Sequence, residues 1–200
     1  MQRISADTRR EQLRAAAFAV IAREGVAGAT TRAITAQAGM SLASFHYAYE
    51  SRDALLAEVL RAGLEVEVDM VRATFDPALP LVEAARSAMY AYVDYLRARP
   101  DIELGLFELI LYGLRSPEMS HVSTNVYAHY YASAEALLAE AATVLGIRWN
   151  RPLRDVAEVI VAMNDGIGLA WLSTRDDALA LRLANAAAEL LAGMGERDSR

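Results

Sequence analysis

The chain has 200 residues, 54% of them hydrophobic, and a formal net charge of −6. That is enough apolar material to build a sizeable core in one domain or two small ones. There is no cysteine, which excludes disulfides, thiolate metal sites and cysteine nucleophiles. No run reaches the ~18 uninterrupted apolar residues of a membrane span, and the start lacks a charged-then-apolar leader. A soluble, cytoplasmic protein that does not enter a membrane is the expectation.

Helical periodicity dominates the chain and strand alternation is nearly absent. In a first helix, about 7–24, Leu13, Ala16, Ala17, Val20 and Ile21 fall on one stripe, with Arg9, Arg10, Arg14 and Arg23 mostly off it. Gly25 suits the stop position of that helix. Thr30 can cap a second helix running to about Ala38, and Gly39 permits the turn that follows. Met40 then plugs the core, and Ser41 can cap a short third helix in which Phe45 and Tyr49, four apart, face inward. Ser51 is a further cap, and Asp53 sits at the positive end of a long helix of about 52–75. The run Asp76-Pro77-Ala-Leu-Pro80 breaks it. Further helices are expected at about 80–98, 101–114, 117–145, 152–174 and 176–191, with a polar tail fraying after Gly195. Nine helices with short links make an all-α protein.

The charge is unevenly placed. Residues 1–52 hold seven Arg against four acids, a net of +3, whereas the remainder holds thirteen Arg against twenty-two acids, a net of −9. The overall acidity argues against a nucleic-acid partner; the basic segment restores one. Three short helices around a tight turn suit a helix-turn-helix head, whose last helix lies in the major groove and offers side chains to base edges. On that geometry the candidate base contacts are Leu42, Ala43 and His46, with Arg32 from the preceding helix. Arg32 could pair bidentately with a guanine, and Ala43 or Leu42 could touch a thymine methyl. Thr31, Ser44, Tyr47 and Arg52 are the candidate phosphate contacts, Thr31 and Arg52 lying at helix N-termini where free N–H groups also attract phosphate.

The run from Thr30 to Leu55 resembles the head of the tetracycline-repressor (TetR) family, whose pattern reads roughly T-x-R-x-I-A-x-x-A-G-V-S-x-G-x-L-Y-x-Y-F-x-S-K-E-x-L. Thr31, Arg32, Ile34, Ala38, Gly39, Ser41, Tyr49, Ser51 and Leu55 match, and Arg52 and Asp53 stand in for the Lys and Glu. Thr35, Ala43, His46 and Ala48 depart from it. Chain length and helix count extend the likeness beyond the head. The resemblance implies a one-component regulator with a DNA-binding domain at 1–52 and a ligand-binding and dimerisation domain at 53–200. It also implies a repressor of double-stranded operator DNA that a small-molecule effector releases. No cofactor or metal is implied.

The body is apolar and rich in aromatics. Such walls with a few polar groups describe a small-molecule pocket, and equally an ordinary helical core. The family's cavity, bounded by the middle helices, makes Met89, Tyr92, Phe107, Leu111, Tyr127, His129, Met163 and Trp171 the candidate lining. In the last two helices small residues recur at helical spacing, which lets helices approach closely. Val159, Ala162, Gly166 and Ala170 in one, with Ala180, Leu183, Ala184 and Ala187 in the other, are the candidate surface of a four-helix homodimer interface. Dimerisation also follows from the head, since one short helix reads too few base pairs, and two-fold symmetry then makes the operator near-palindromic. A helical scaffold without DNA binding is the alternative. An all-α enzyme is the weaker one: His121 and His129 are eight apart, too far for a paired metal site, and no phosphate loop or nucleophile motif occurs.

Overall fold

The structure, a computed structural model, describes residues 5–73, 76 and 78–197, without the side chains of 64–71, 120–124 and 197. Pro77 and the His121 side chain therefore lie outside the described residues. Nine helices occur among those described: α1 (Ala6–Gly28), α2 (Thr31–Gln37), α3 (Leu42–Ala48), α4 (Arg52–Ala73), α5 (Leu81–Ala98), α6 (Pro100–Arg115), α7 (Ser120–Leu145), α8 (Leu153–Thr174) and α9 (Asp177–Gly193). They form two compact units. One holds the chain up to Leu64 together with Asp101–Val126; the other holds Glu65–Pro100 and the chain from Tyr127 onward.

In the first unit α1 packs on α2 and α3 around Leu13, Ala17, Val20, Ile34 and Phe45, none of which is exposed. α1 has a break: Gly25 sits at φ 73° and ψ 176°, a conformation L side chains avoid, so the last turn is set off from the rest. The Glu108 carboxylate of α6 accepts the freed Val26 N–H at 2.8 Å. α6 thus belongs to the same compact unit as the head, although α4 and α5 separate the two along the chain.

The second unit is centred on α5, α8 and α9, with Met89, Tyr92, Val93, Leu96, Val156 and Trp171 among its buried side chains. Two short strands, β1 (Ile147–Trp149) and β2 (Gly195–Arg197), pair antiparallel with Trp149 opposite Gly195. The tail expected to fray after Gly195 is therefore tied down, as far as Arg197, by backbone pairing to the link before α8. The fourfold spacing of small residues in α9 has a different use from the one expected. Ala180, Ala184 and Ala187 are 1%, 0% and 0% exposed and face the unit's own core, where their small side chains admit α5 and α8 closely. Leu183 is half-buried against the same core. This half of the expected dimer surface is already occupied. On α8 the expected residues do lie outward: Val159, Ala162 and Gly166 are exposed and Ala170 is half-buried. α8 as a whole is long and apolar enough to meet the length and composition of a membrane span, with only a third of its most apolar window buried.

Candidate nucleic-acid interface

Capping side chains begin both helices of the reading pair. The Thr30 hydroxyl accepts the Ala33 N–H at 3.1 Å, and the Ser41 hydroxyl accepts the Ser44 N–H at 3.2 Å. Between them Gly39 turns the chain at φ 64°, and the Met40 N–H closes on the Thr35 carbonyl at 2.9 Å. Thr35 itself is buried, and its hydroxyl is satisfied by donating to the Thr31 and Arg32 carbonyls. This explains how a polar residue is tolerated where the family pattern has Ala.

α3 places Phe45 fully inside, with Tyr49 closing its C-terminal end, and this fixes what faces out. Leu42 (44% exposed), Ala43, His46 and Tyr47 (76%) share the outward face. The exposed His46 ring stands edge-on to the buried Phe45 ring with centroids 5.5 Å apart. The Arg9 guanidinium lies over the Tyr47 ring at 5.1 Å. Arg32 is exposed in the first turn of α2, and its side chain forms no ion pair among the described residues. Ser44 is half-buried, its hydroxyl 3.0 Å from that of Ser41. Thr31 lies half-buried beside an open cleft of 660 Å³ bounded by Thr30, Arg52, Glu108, Leu111 and Tyr112.

Arg52 departs from the expected role. Its Nε donates to the Ala29 carbonyl at 2.7 Å, one terminal nitrogen donates to the Val26 carbonyl, and the other donates to the Tyr112 hydroxyl at 3.0 Å. Tyr112 in turn donates to Asp53 at 3.0 Å, and the Ser116 hydroxyl donates to the same carboxylate at 2.6 Å. The guanidinium is consumed in tying the last turn of α1 to α4 and α6, because carbonyls at a helix end have lone pairs to spare and carry partial negative charge. A second tie is equally hidden in the sequence. Tyr49 donates to Glu58 at 2.7 Å, and Arg10 pairs with Glu58, donates to the Ala48 carbonyl at 2.7 Å and covers the Tyr49 ring. Burial pushes the Glu58 carboxyl upward, but the hydrogen bonds from Tyr49 and Arg10, with the Arg10 charge, outweigh it and hold the pKa below its ordinary value. Most of the bonds in these two ties join residues far apart in the chain, at spacings that no periodicity announces.

The candidate effector lining divides. Met89, Tyr92 and Trp171 are buried in the second unit, and Tyr127 and Met163 pack against that core. His129 is exposed on α7. Phe107 and Leu111 belong to the first unit, where Leu111 is 62% exposed on the open cleft. Helical spacing cannot separate these cases, because α6 and the later helices carry similar apolar stripes.

Comparison with known proteins agrees with this geometry. The family model for bacterial regulatory proteins of the tetR family matches residues 13–59, from within α1 to within α4. The nicotine-responsive transcriptional repressor HdnoR of Paenarthrobacter nicotinovorans is 29% identical over 181 residues, covering 88% of this chain and 89% of that protein. The multidrug binding protein EbrR, solved with malachite green, superposes with a TM-score of 0.64 at 27% identity, covering 92% of this chain and 96% of that one. A TetR regulator from Haloarcula marismortui shares the fold with a TM-score of 0.73 at 19% identity, over 95% of this chain and 100% of the other. With an outward-facing α3 on a capped helix-turn-helix, residues 13–59 match the tetR family of bacterial regulatory proteins, and the chain as a whole is similar to DNA-binding transcriptional regulators of that kind.

Proposed function

We propose that the protein is a cytoplasmic repressor that binds a near-palindromic operator as a homodimer and leaves it when a small aromatic effector occupies the second unit. The observation that carries the DNA half is the outward face of α3, Leu42, Ala43, His46 and Tyr47, together with an exposed Arg32 that no described acid neutralises. Leu42, Ala43, His46 and Arg32 meet base edges; Tyr47, Ser44 and the N–H groups beside Thr31 hold phosphates. The unit that holds the head, up to Leu64 with Asp101–Val126, does the reading, and the unit of Glu65–Pro100 with the chain from Tyr127 takes the effector.

The dimer forms through the exposed apolar side of α8. Val159 and Leu169 are 36% and 49% exposed there, flanking Ala162 and Gly166, and covering this side against a second copy accounts for a span-like hydropathy in a DNA-binding protein. α9 contributes its outer edge, where Leu190 is 45% exposed, in place of its buried alanines.

Support for an effector comes from the relatives: HdnoR responds to nicotine and EbrR binds malachite green, both aromatic nitrogen compounds. An effector releases DNA only by binding the released state better, typically by ~1–3 kcal/mol. Gel-shift titration on DNA flanking the protein's own gene tests the whole reading. Saturable binding to a palindromic segment, lost in Arg32→Ala and reversed by an aromatic amine, is expected. Equal affinity for shuffled DNA rules it out in favour of a helical binding protein without operator recognition.

A further inference from the structure

The second unit holds a half-buried carboxylate that no cation among its described residues balances. Asp165 lies half-buried on α8, and its hydrogen-bond partner among the described residues is the Tyr127 hydroxyl, which donates at 2.7 Å. No guanidinium among the described residues offsets it: burial raises the carboxyl's pKa and only the Tyr127 hydrogen bond opposes the rise. One residue earlier, the Asn164 Oδ1 is buried without a hydrogen-bond partner among the described residues. Neighbouring positions of α8 thus carry one acceptor without a partner and one carboxylate with a single neutral donor. A buried acceptor left unpaired is costly, and a buried charge more so.

The surroundings have a definite chemistry. Tyr127 has Tyr130 and Tyr131 as ring neighbours, with centroids 6.1 and 5.8 Å away, all on one stretch of α7. Aromatic faces are negative and attract cations, and Tyr131 already shows this by holding the Arg154 guanidinium 4.5 Å from its centre. That guanidinium is committed elsewhere, donating to Glu158 at 2.7 Å, so it does not neutralise Asp165.

We propose that Asp165, with Tyr127 and its ring neighbours, is the anchoring end of the effector site and selects a protonated or permanently charged aromatic amine over a neutral aromatic. The organic cation supplies the missing positive charge to Asp165, a protonated amine donates to its carboxylate, and its rings lie against the tyrosines. Neutral aromatics of the same shape leave the carboxylate uncompensated. This rests on the reading that the second unit takes a small-molecule effector.

Equilibrium titration with malachite green, a cation, and leucomalachite green, its uncharged reduced form, separates the two ideas. The wild-type chain binds the cation at least roughly tenfold more tightly. Asp165→Asn removes that preference, weakening the cation roughly tenfold and leaving the neutral dye within about twofold, while operator binding in a gel shift is unchanged. Tyr127→Phe gives an intermediate loss, since the ring stays and the carboxylate loses its donor. Equal affinities that Asp165→Asn does not alter overturn the cation site but leave the effector pocket standing. Binding of neither dye overturns both.

Discussion

Arg52→Ala separates a structural arginine from a phosphate-binding one. The side chain is 23% exposed and makes three charge-assisted hydrogen bonds, to the Ala29 and Val26 carbonyls and to Tyr112. Each such bond is worth about 1.5–3 kcal/mol when its partner is left unsatisfied. The three are coupled, and the carbonyls at the end of α1 regain water in the variant, so the expected destabilisation is about 2–3 kcal/mol, well below the sum. For a chain of this size that lowers Tm by roughly 4–12 °C, compared at equal protein concentration because the protein is proposed to be a dimer. The salt dependence of operator binding supplies the second readout. Each phosphate neutralised by the protein contributes about −0.9 to the slope of log affinity against log salt, so deleting a phosphate-binding arginine from both halves of a dimer flattens the slope by about 1.8. A structural Arg52 leaves it unchanged even where affinity falls. Wild-type Tm together with a slope flatter by about 1.8 would refute the assignment.

Arg32→Ala, which disturbs no ion pair among the described residues, leaves Tm within about 1 °C and weakens operator binding by about 1–3 kcal/mol per half-site, measured by gel shift on matched and mutated operators. His46→Ala relaxes selectivity at one base position per half-site with a stability change inside about 0.5 kcal/mol, read from a binding-site library and a urea melt. Gly25→Ala costs about 2–4 kcal/mol by urea midpoint, because φ is 73° and the new Cβ would stand 2.8 Å from Glu108 Oε2; Gly39→Ala, at φ 64° with nothing within 4 Å, costs only about 1 kcal/mol. Glu58 titrates lower in the folded chain than when unfolded, so its contribution is fully present above its unfolded pKa and is lost as pH falls through the folded one. Glu58→Gln should therefore flatten the acid limb of a stability–pH curve; an unaltered limb argues against the Tyr49–Glu58–Arg10 tie.

Much of the head was legible because its signals are local. A capping hydroxyl acts on an N–H three residues on, so Thr30, Ser41 and Ser51 mark helix starts by themselves, and all three caps are made. Gly25, Gly39 and Gly146 have positive φ at helix interruptions or ends for an equally local reason. Phe45 and Tyr49 pointed inward through their spacing alone, which put Leu42, Ala43, His46 and Tyr47 outside. Tertiary structure decided whatever depended on which surface an apolar or charged residue meets. Periodicity shows that α9 has a small-residue stripe; only packing shows that α5 and α8 already fill it, while α8 keeps an open side. Arg52 has the sequence position of a phosphate ligand, and only the folded chain brings the carbonyls of Val26 and Ala29 and the hydroxyl of Tyr112 within its reach. Asp165 likewise reads as one more helix carboxylate until α7 sets Tyr127 beside it and no described cation. A helix is specified by neighbours three and four residues away, whereas a site is specified by partners far off in the chain, whose charges and shapes meet only after packing.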